Sequence, residues 1–432
     1  MRDLLIVGIV VVACLMALKR PWIGVMLWTW LSIMNPHRYA YGFSYEAPLA
    51  AMAVGFTLLG LLNTKEKESP FKGAPVTVLV LLMIWITITS ILGFDPEYNF
   101  NQWKKIMKID FMIIVALALL YSKRHILALT IVAAGSVAIL GAKGGLFTLA
   151  TGGNFRVWGP PGSFIEDNNE FALAVIMTIP LLRLLQLQIS QRWGKYVITA
   201  IMVLCAAAAV GSHSRGGFLA ILAMGAAFWW YDGRKIGILI GMLVLASIAP
   251  LFLPEEWFSR MDSISDYQND SSAMGRINAW WMAWNLATDR FFGGGFAIYN
   301  LGVFSIYAPI PDDVHAAHSI YFQILGEHGF VGLFLFILLW WLVWYESGKL
   351  RVEGKKLPET LWISQLGAMC QVSMIGYLVG GTFLSLAYFD LPYNIMVIVV
   401  LARRWIDRKA WLLENEKPSV ANNAAPNHAT TS

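Results

Sequence analysis

Four cations and one histidine stand where charge is costly in an otherwise apolar chain. Arg215 lies in Ser212-His213-Ser214-Arg215-Gly216-Gly217, a short turn between two apolar stretches. A guanidinium at the edge of a membrane needs an anionic partner or water. The two glycines let another group approach the backbone closely. Arg215 is therefore either an anion-binding residue or a rim arginine that snorkels to water. Arg276 opens the stretch Arg276–Ala287 (RINAWWMAWNLA) after Ser271-Ser272-Ala273-Met274-Gly275. Its planar fork suits phosphate, and a helix start at that point adds free N–H groups; the plainer alternative is a solvated loop arginine. Arg156 is a third such cation, in a Gly- and Pro-rich turn before a helix beginning near Asn169. Lys108, with Lys104 and Lys105, is the weakest candidate, because a snorkelling cluster explains it as well. His318 stands just before a long apolar run, in His318-Ser319-Ile320-Tyr321-Phe322-Gln323. Imidazoles change charge near neutral pH, so His318 is a candidate general base. His315 and His318, with Asp312 and Asp313 nearby, could instead hold a metal. No HExxH motif or further cysteine supports that, and no metal is expected.

These residues need a scaffold, and composition says which kind. Of 432 residues, 57% are hydrophobic and 14% charged, against roughly 25% charged in soluble domains. With a mean hydropathy of +0.59, this excludes a soluble globular protein and also a disordered one. At about 20 residues per span, with loops, the length holds roughly 11–13 membrane helices. The net charge of +5 is modest and no long Lys/Arg run suggests nucleic acid. Cys14, Cys205 and Cys370 all sit in apolar stretches, so no disulfide framework is expected. Residues 1–18 resemble a signal peptide without a cleavage site, and 4–18 reads as a retained helix.

Apolar segments run over 4–18, 21–36, 46–63, 75–93, 103–121, 126–150, 169–189, 196–212, 217–231, 236–253, 319–345, 359–382 and 388–403. They read as helices, because lipid-facing backbone must satisfy its own hydrogen bonds; the alternation of a transmembrane barrel is missing. Alternate loops carry Lys65, Lys67 and Lys72; Lys123 and Arg124; Arg192 and Lys195; Arg234 and Lys235; Lys349, Arg351, Lys355 and Lys356; and Arg403, Arg404, Arg408 and Lys409. The positive-inside rule makes these cytoplasmic. The external side then holds 37–45, 94–102, 151–168, 213–216, 254–318 and 383–387. Lys19-Arg20 would put Met1 outside and make thirteen spans. Segments 4–18 and 21–36 are short, and one broken or re-entrant element is an alternative. The expectation is an all-α polytopic membrane protein of about twelve spans, one helical domain over 1–413 and a disordered cytoplasmic tail over 414–432.

The longest external segment, 254–318, contains eight acids (Glu255, Glu256, Asp262, Asp266, Asp270, Asp289, Asp312, Asp313), three arginines (Arg260, Arg276, Arg290) and no lysine. Trp257, Trp280, Trp281 and Trp284 argue for order, and indoles favour the membrane interface. An amphipathic helix here either covers a site or merely covers the bundle.

Several motifs fall together along the chain. They are Gly162-Ser-Phe-Ile-Glu-Asp-Asn-Asn-Glu-Phe-Ala, Ser214-Arg-Gly-Gly before a span, Arg276 with the following Trp and Ala, Gly293-Gly294-Gly295-Phe296, and His318-Ser-Ile-Tyr-Phe-Gln-Ile-Leu-Gly-Glu327-His-Gly329-Phe-Val-Gly332-Leu. This pattern resembles the O-antigen ligase and polysaccharide polymerase superfamily over nearly the whole chain. The opening, with Met34-Asn35-Pro36-His37-Arg38, looks like the branch described as O-glycosylation ligases. Ser319 departs from the Asn that many members carry after the histidine. The resemblance implies a GT-C-like, inverting and metal-independent glycosyltransferase in the bacterial inner membrane, with no cofactor. It implies transfer of a glycan from undecaprenyl pyrophosphate to a hydroxyl of lipid A-core on the periplasmic face, in lipopolysaccharide biosynthesis. On that reading Arg215, Arg276, Arg156 and Lys108 face the pyrophosphate, His318 is the base, and Asn169, Tyr321, Gln323 and Glu327 support them. A polysaccharide polymerase and a protein O-oligosaccharyltransferase are alternatives within the family. A transporter is the alternative outside it; that would call for broken helices or internal repeats, neither of which the sequence suggests.

Overall fold

The structure, a computed structural model, describes residues 2–40, 42–231, 237, 243, 247 and 271–415. Among the described residues every regular element is a helix. In chain order these are α1 (Arg2–Lys19), α2 (Pro21–Met34), α3 (Leu49–Asn63), α4 (Ala74–Ile91), α5 (Pro96–Leu119), α6 (Lys123–Ala150), α7 (Asn168–Gln188), α8 (Arg192–Gly211), α9 (Arg215–Tyr231), α10 (Ser271–Asp289), α11 (Leu301–Tyr307), α12 (Ile320–Glu353), α13 (Leu361–Gly380), α14 (Asp390–Asp407) and α15 (Ala410–Asn415). Helices α4, α6, α7, α8, α12 and α13 with its flanking turns are long and apolar enough to cross a membrane; α2 and α3 are shorter apolar helices. This is an all-α polytopic membrane architecture. Most of the expected span 236–253 (all but 237, 243 and 247), the acids Glu255, Glu256, Asp262, Asp266 and Asp270, Arg260 and Trp257, and the tail beyond Asn415 lie outside the described residues.

Helix starts follow ordinary capping chemistry. The Asp95 side chain accepts from Tyr98 N at the head of α5, and Ser122 accepts from His125 N at α6; each satisfies a donor that the first turn leaves orphaned. Asp95 followed by Pro96 starts α5 seven residues before the expected 103, because Pro is preorganised for a first helical position. Polar side chains inside the bundle bond back to their own helix: Thr57 to Ala53 O (2.6 Å), Thr130 to Ile126 O (2.9 Å) and Thr178 to Ala174 O (2.9 Å). Helix α7 is buried on nearly every side, which is why it is apolar all round rather than striped.

Residues 4–18 and 21–36 form two helices rather than one broken element. They turn at Arg20 and pack on α3, with Gly60 held close to Ala17 and Pro21. Asp3 accepts from the Ser44 backbone N (3.1 Å) and hydroxyl (2.7 Å), so α1 starts at the end of the bundle where α2 joins α3.

Basic loops gather at the opposite end. Arg404 donates to the carbonyls of Leu117 (2.9 Å) and Lys72 (2.7 Å), and Arg403 bridges Glu353 (2.9 Å) and Asp407 (2.6 Å).

One long span is not continuous. Gly329, inside α12, has φ 68 and ψ −172, a conformation open only to glycine at little cost. The break frees carbonyls, and other segments satisfy them. Gly294 N donates to Gly326 O (3.0 Å), Gly295 N to Glu327 O (2.9 Å) and Trp85 Nε1 to His328 O (2.8 Å). The expectation of unbroken helices is corrected here: an apolar run looks alike on both sides of a break, and only its hydrogen-bond partners reveal it.

Candidate active site

Three connections meet at the end of the bundle away from the basic loops. The first is the turn 212–214 between α8 and α9. Ser214 caps α9, its Oγ accepting from Gly217 N (3.0 Å), which places Arg215 in the first turn. The second is the 151–167 turn, tied to the first by Val157 N to Gly211 O (3.1 Å) and by His213 Nε2 against Gly153 O (2.8 Å). Asn168 Nδ2 donates to Ser212 O (2.6 Å) and locks the head of α7 to the same turn. The third is the approach to α12, where His318 sits with φ 42. Left-handed backbone is uncommon outside glycine, although His tolerates it better than most.

Together they enclose a polar cavity of about 300 Å³ whose lining includes Arg156, Arg215, Arg276, His318 and Asn169. Five residues picked out in the sequence therefore share one cavity, although they are spread over 163 positions (318 minus 156, plus one). Lys108 does not join them: it lies on the exposed face of α5. Tyr321 donates its hydroxyl to Leu378 O (2.9 Å) and anchors α12 to α13. Gln323 and Glu327 belong to a buried network below the cavity, with Gln323 Nε2 to Glu327 Oε1 at 3.3 Å and Tyr388 Oη donating to Glu327 Oε2.

Arg276 is not at a helix start. Helix α10 begins at Ser271, so Arg276 lies in its second turn and its backbone N–H serves the helix. Residues 271–275 tolerate helix well enough to be included. Gly275 admits the His315 ring against α10, where any Cβ would collide with it. His315 pairs with Asp313 (3.4 Å), whereas His318 faces a different carboxylate.

That carboxylate is Glu170, in the first turn of α7 and almost wholly buried. Its Oε1 lies 3.9 Å from His318 Nδ1 and accepts from Ser385 N (3.3 Å); its Oε2 is buried with no hydrogen-bond partner. Asp167, which also lines the cavity, caps α7 by accepting from Asn169 N (2.8 Å) and Asn169 Nδ2 (2.9 Å). Burial pushes the Asp167 carboxyl up, but the neighbouring Glu170 carboxyl, the Asn169 amides and the His318 imidazole outweigh it, so its pKa lies below the ordinary aspartate value. Asp167 and Glu170 are not among the site residues expected from the sequence. A signal existed: an acid in the first turn of a long apolar span is costly and needs a reason.

Beside the polar cavity lies an almost wholly apolar one of about 470 Å³, lined by Ile277, Trp280, Trp281, Trp284 and Phe322. Trp280 stacks on Phe322 at 4.9 Å and 6°, and donates to Ala317 O (2.7 Å), next to His318. Trp280 also meets Phe383, which lines the polar cavity.

Comparison with known proteins agrees with the motifs. No curated protein matches the chain. Residues 1–190 match a family of unknown function (DUF5935). Residues 200–337, which include Arg215, Arg276 and His318, match the family model described as O-antigen ligase. The family's activity is in general a glycosyltransferase-like ligation, with a lipid-linked polysaccharide and lipid A-core as its general substrates. Residues 200–337 are thus similar to the O-antigen ligase family, the one that the motifs of the chain resemble.

Proposed function

We propose that the polar cavity transfers a glycan from undecaprenyl pyrophosphate to a hydroxyl of lipid A-core on the periplasmic face of the bacterial inner membrane. The observation that carries this reading is the meeting of Arg156, Arg215 and Arg276 with His318 in one cavity. A pyrophosphate leaving group is already a stable anion. It needs positive charge where negative charge develops rather than a protonating acid. Arg215 and Arg276 supply that charge, Arg156 assists, and Lys108, which does not line the cavity, has no part. The acceptor hydroxyl loses its proton to His318 as it attacks C1 of the donor sugar. Such base catalysis is worth about 10²–10⁴-fold.

Glu170 is the orienting group in this scheme. The 3.9 Å gap to His318 Nδ1 exceeds a hydrogen bond, and catalytic contacts commonly tighten only when substrate is bound. Closing it fixes the proton on Nδ1 and leaves Nε2 to accept the new one. The tryptophan-lined cavity takes the polyprenyl chain, since it is apolar and abuts the polar cavity through Trp280 and Phe383. The wider frame of the proposal is a GT-C-like protein of about twelve spans, with one helical domain over 1–413 and 254–318 as its large periplasmic loop. The reaction inverts the donor carbon and needs no metal.

The decisive experiment is transfer by the purified protein from a lipid-linked glycan to lipid A-core, with a glycosylatable protein and a second lipid-linked glycan as competing acceptors. Product on lipid A-core, surviving exhaustive chelation, is expected. Product mainly on protein makes the enzyme an O-oligosaccharyltransferase, and product mainly on the second glycan makes it a polymerase. No transfer, with passage of glycan across vesicles instead, makes it a transporter. Loss of transfer with EDTA and recovery with a divalent ion overturns the arginine mechanism.

A further inference from the structure

We propose that a second cavity, between α1, the Pro36–Tyr39 turn and α6, binds an anionic membrane lipid. The lipid phosphate sits between Arg2 and Lys143, and its acyl chain lies along Leu5 and Ile139. The cavity measures about 540 Å³ and, among the described residues, shares no lining residue with the candidate active site.

Its walls have the two characters that such a lipid requires. Leu5, Ile6, Met34, Pro36, Ile139 and Leu140 make an apolar surface. Leu5 is 65% exposed and Ile139 58%, and Ile9 and Leu146 are exposed beside them, so the cavity opens on a lipid-facing flank of the bundle. The charge is one-sided: among the described residues, Arg2 and Lys143 line the cavity and no acid does. Asp3, the acid nearest in sequence to Arg2, is turned away to Ser44. Lys143 lies seven residues inside the end of α6, about 10 Å along the axis at 1.5 Å per residue. Its ammonium rests over the Tyr39 ring at 4.9 Å, which holds it in the cavity without neutralising it.

Tyr39 is placed by the Met34-Asn35-Pro36-His37-Arg38 motif. Asn35, left-handed at φ 49, ends α2, and a 3-10 turn from Pro36 carries Tyr39 round to α6. The guanidinium of Arg38 lies against Gly162, in the turn whose Arg156 lines the candidate active site. The lipid therefore occupies the same leaflet as that site. Basic pockets between membrane helices favour anionic headgroups, each cation adding to the attraction.

The test uses the full chain in mild detergent, with native mass spectrometry counting retained lipid. The probes are phosphatidylglycerol, phosphatidylcholine and inorganic phosphate. Wild type is expected to retain one more phosphatidylglycerol than phosphatidylcholine, and inorganic phosphate should not displace it. Lys143→Gln and Arg2→Gln should each weaken retention about fivefold, and Lys143→Arg should keep it. Arg2 is exposed at a helix end, so Arg2→Gln decides the matter even if Lys143→Gln fails to fold. No preference for phosphatidylglycerol, or unchanged retention in Arg2→Gln, overturns the proposal. Displacement by inorganic phosphate overturns the assignment to a lipid and leaves a simple phosphate site.

Discussion

His318 and His328 lie ten residues apart in one motif, at the tip and at the break of α12, and the protein uses them in opposite ways. His328 is fully buried with both ring nitrogens engaged, Nδ1 with Thr89 Oγ1 (2.6 Å) and Nε2 with Tyr388 Oη (2.7 Å). Its carbonyl is held by Trp85. His318 has a side chain 35% exposed, a left-handed backbone and an Nδ1 with no hydrogen bond, 3.9 Å from a buried carboxylate. A ring whose two nitrogens are satisfied inside the bundle holds helices together. A ring at a cavity wall with valence to spare can exchange protons. The difference lies in what surrounds each residue, and neither its type nor its motif shows that.

The largest expected effect tests this contrast directly. His318→Ala should slow glycan transfer by about 10²–10⁴-fold while donor binding, measured on the purified variant, stays near wild type. If donor binding is lost and residual chemistry persists, His318 is a phosphate ligand and the base lies elsewhere. Next in size, Arg276→Ala should cost about 10²–10³-fold in turnover and weaken donor binding. Lys in its place should rescue poorly, since a point charge cannot reproduce a two-pronged contact. Good rescue by Lys would reduce the role to general electrostatics.

The other histidine's region should respond in stability instead. Gly329→Ala forces a side chain into a left-handed position, and its Cβ would fall 2.4 Å from Phe291 O. A cost of roughly 1–3 kcal/mol is expected, read as a lower melting temperature, with the donor affinity of the folded fraction retained. Unchanged stability would mean that the break is not needed. The smallest effect concerns Asp167. Its lowered carboxyl contributes stability that is complete above the unfolded value near pH 4 and is lost as pH falls through the still lower folded value. Asp167→Ala should cost about 1 kcal/mol at neutral pH through the lost cap. Asp167→Asn, which still caps, should flatten the acid limb of a melting curve taken between about pH 5 and pH 2. An unaltered acid limb removes Asp167 from the account.

Much of the fold is legible in the apolar runs, because a helix surrounded by lipid or by other helices has few polar options. The segments 75–93, 126–150 and 169–189 end within three residues of α4, α6 and α7. The reading failed where local sequence is permissive. Residues 271–275 accept helix, so Arg276 lies in the second turn of α10 rather than at its start, and Lys108 is exposed on α5 and does not line the cavity. At the site, charge type and a shared end of the bundle pointed to Arg156, Arg215, Arg276 and His318. The Glu170 contact was hidden, because it joins the head of α7 to the tip of α12 across 148 positions (318 minus 170), a pairing that no local pattern encodes.

The break at Gly329 also divides α12 into two independent registers. An unbroken helix turns about 100° for every residue inserted, so a single insertion low in the span would swing its outer tip away from its neighbours. Here the glycine loop and Trp85 grip the carbonyls of 326–328, and that grip sets the orientation of the tip. Insertions or deletions in 333–353 would rotate the inner half against α13 while leaving His318 aimed where it is. The span can thus change length to suit the thickness of its membrane without carrying His318 along.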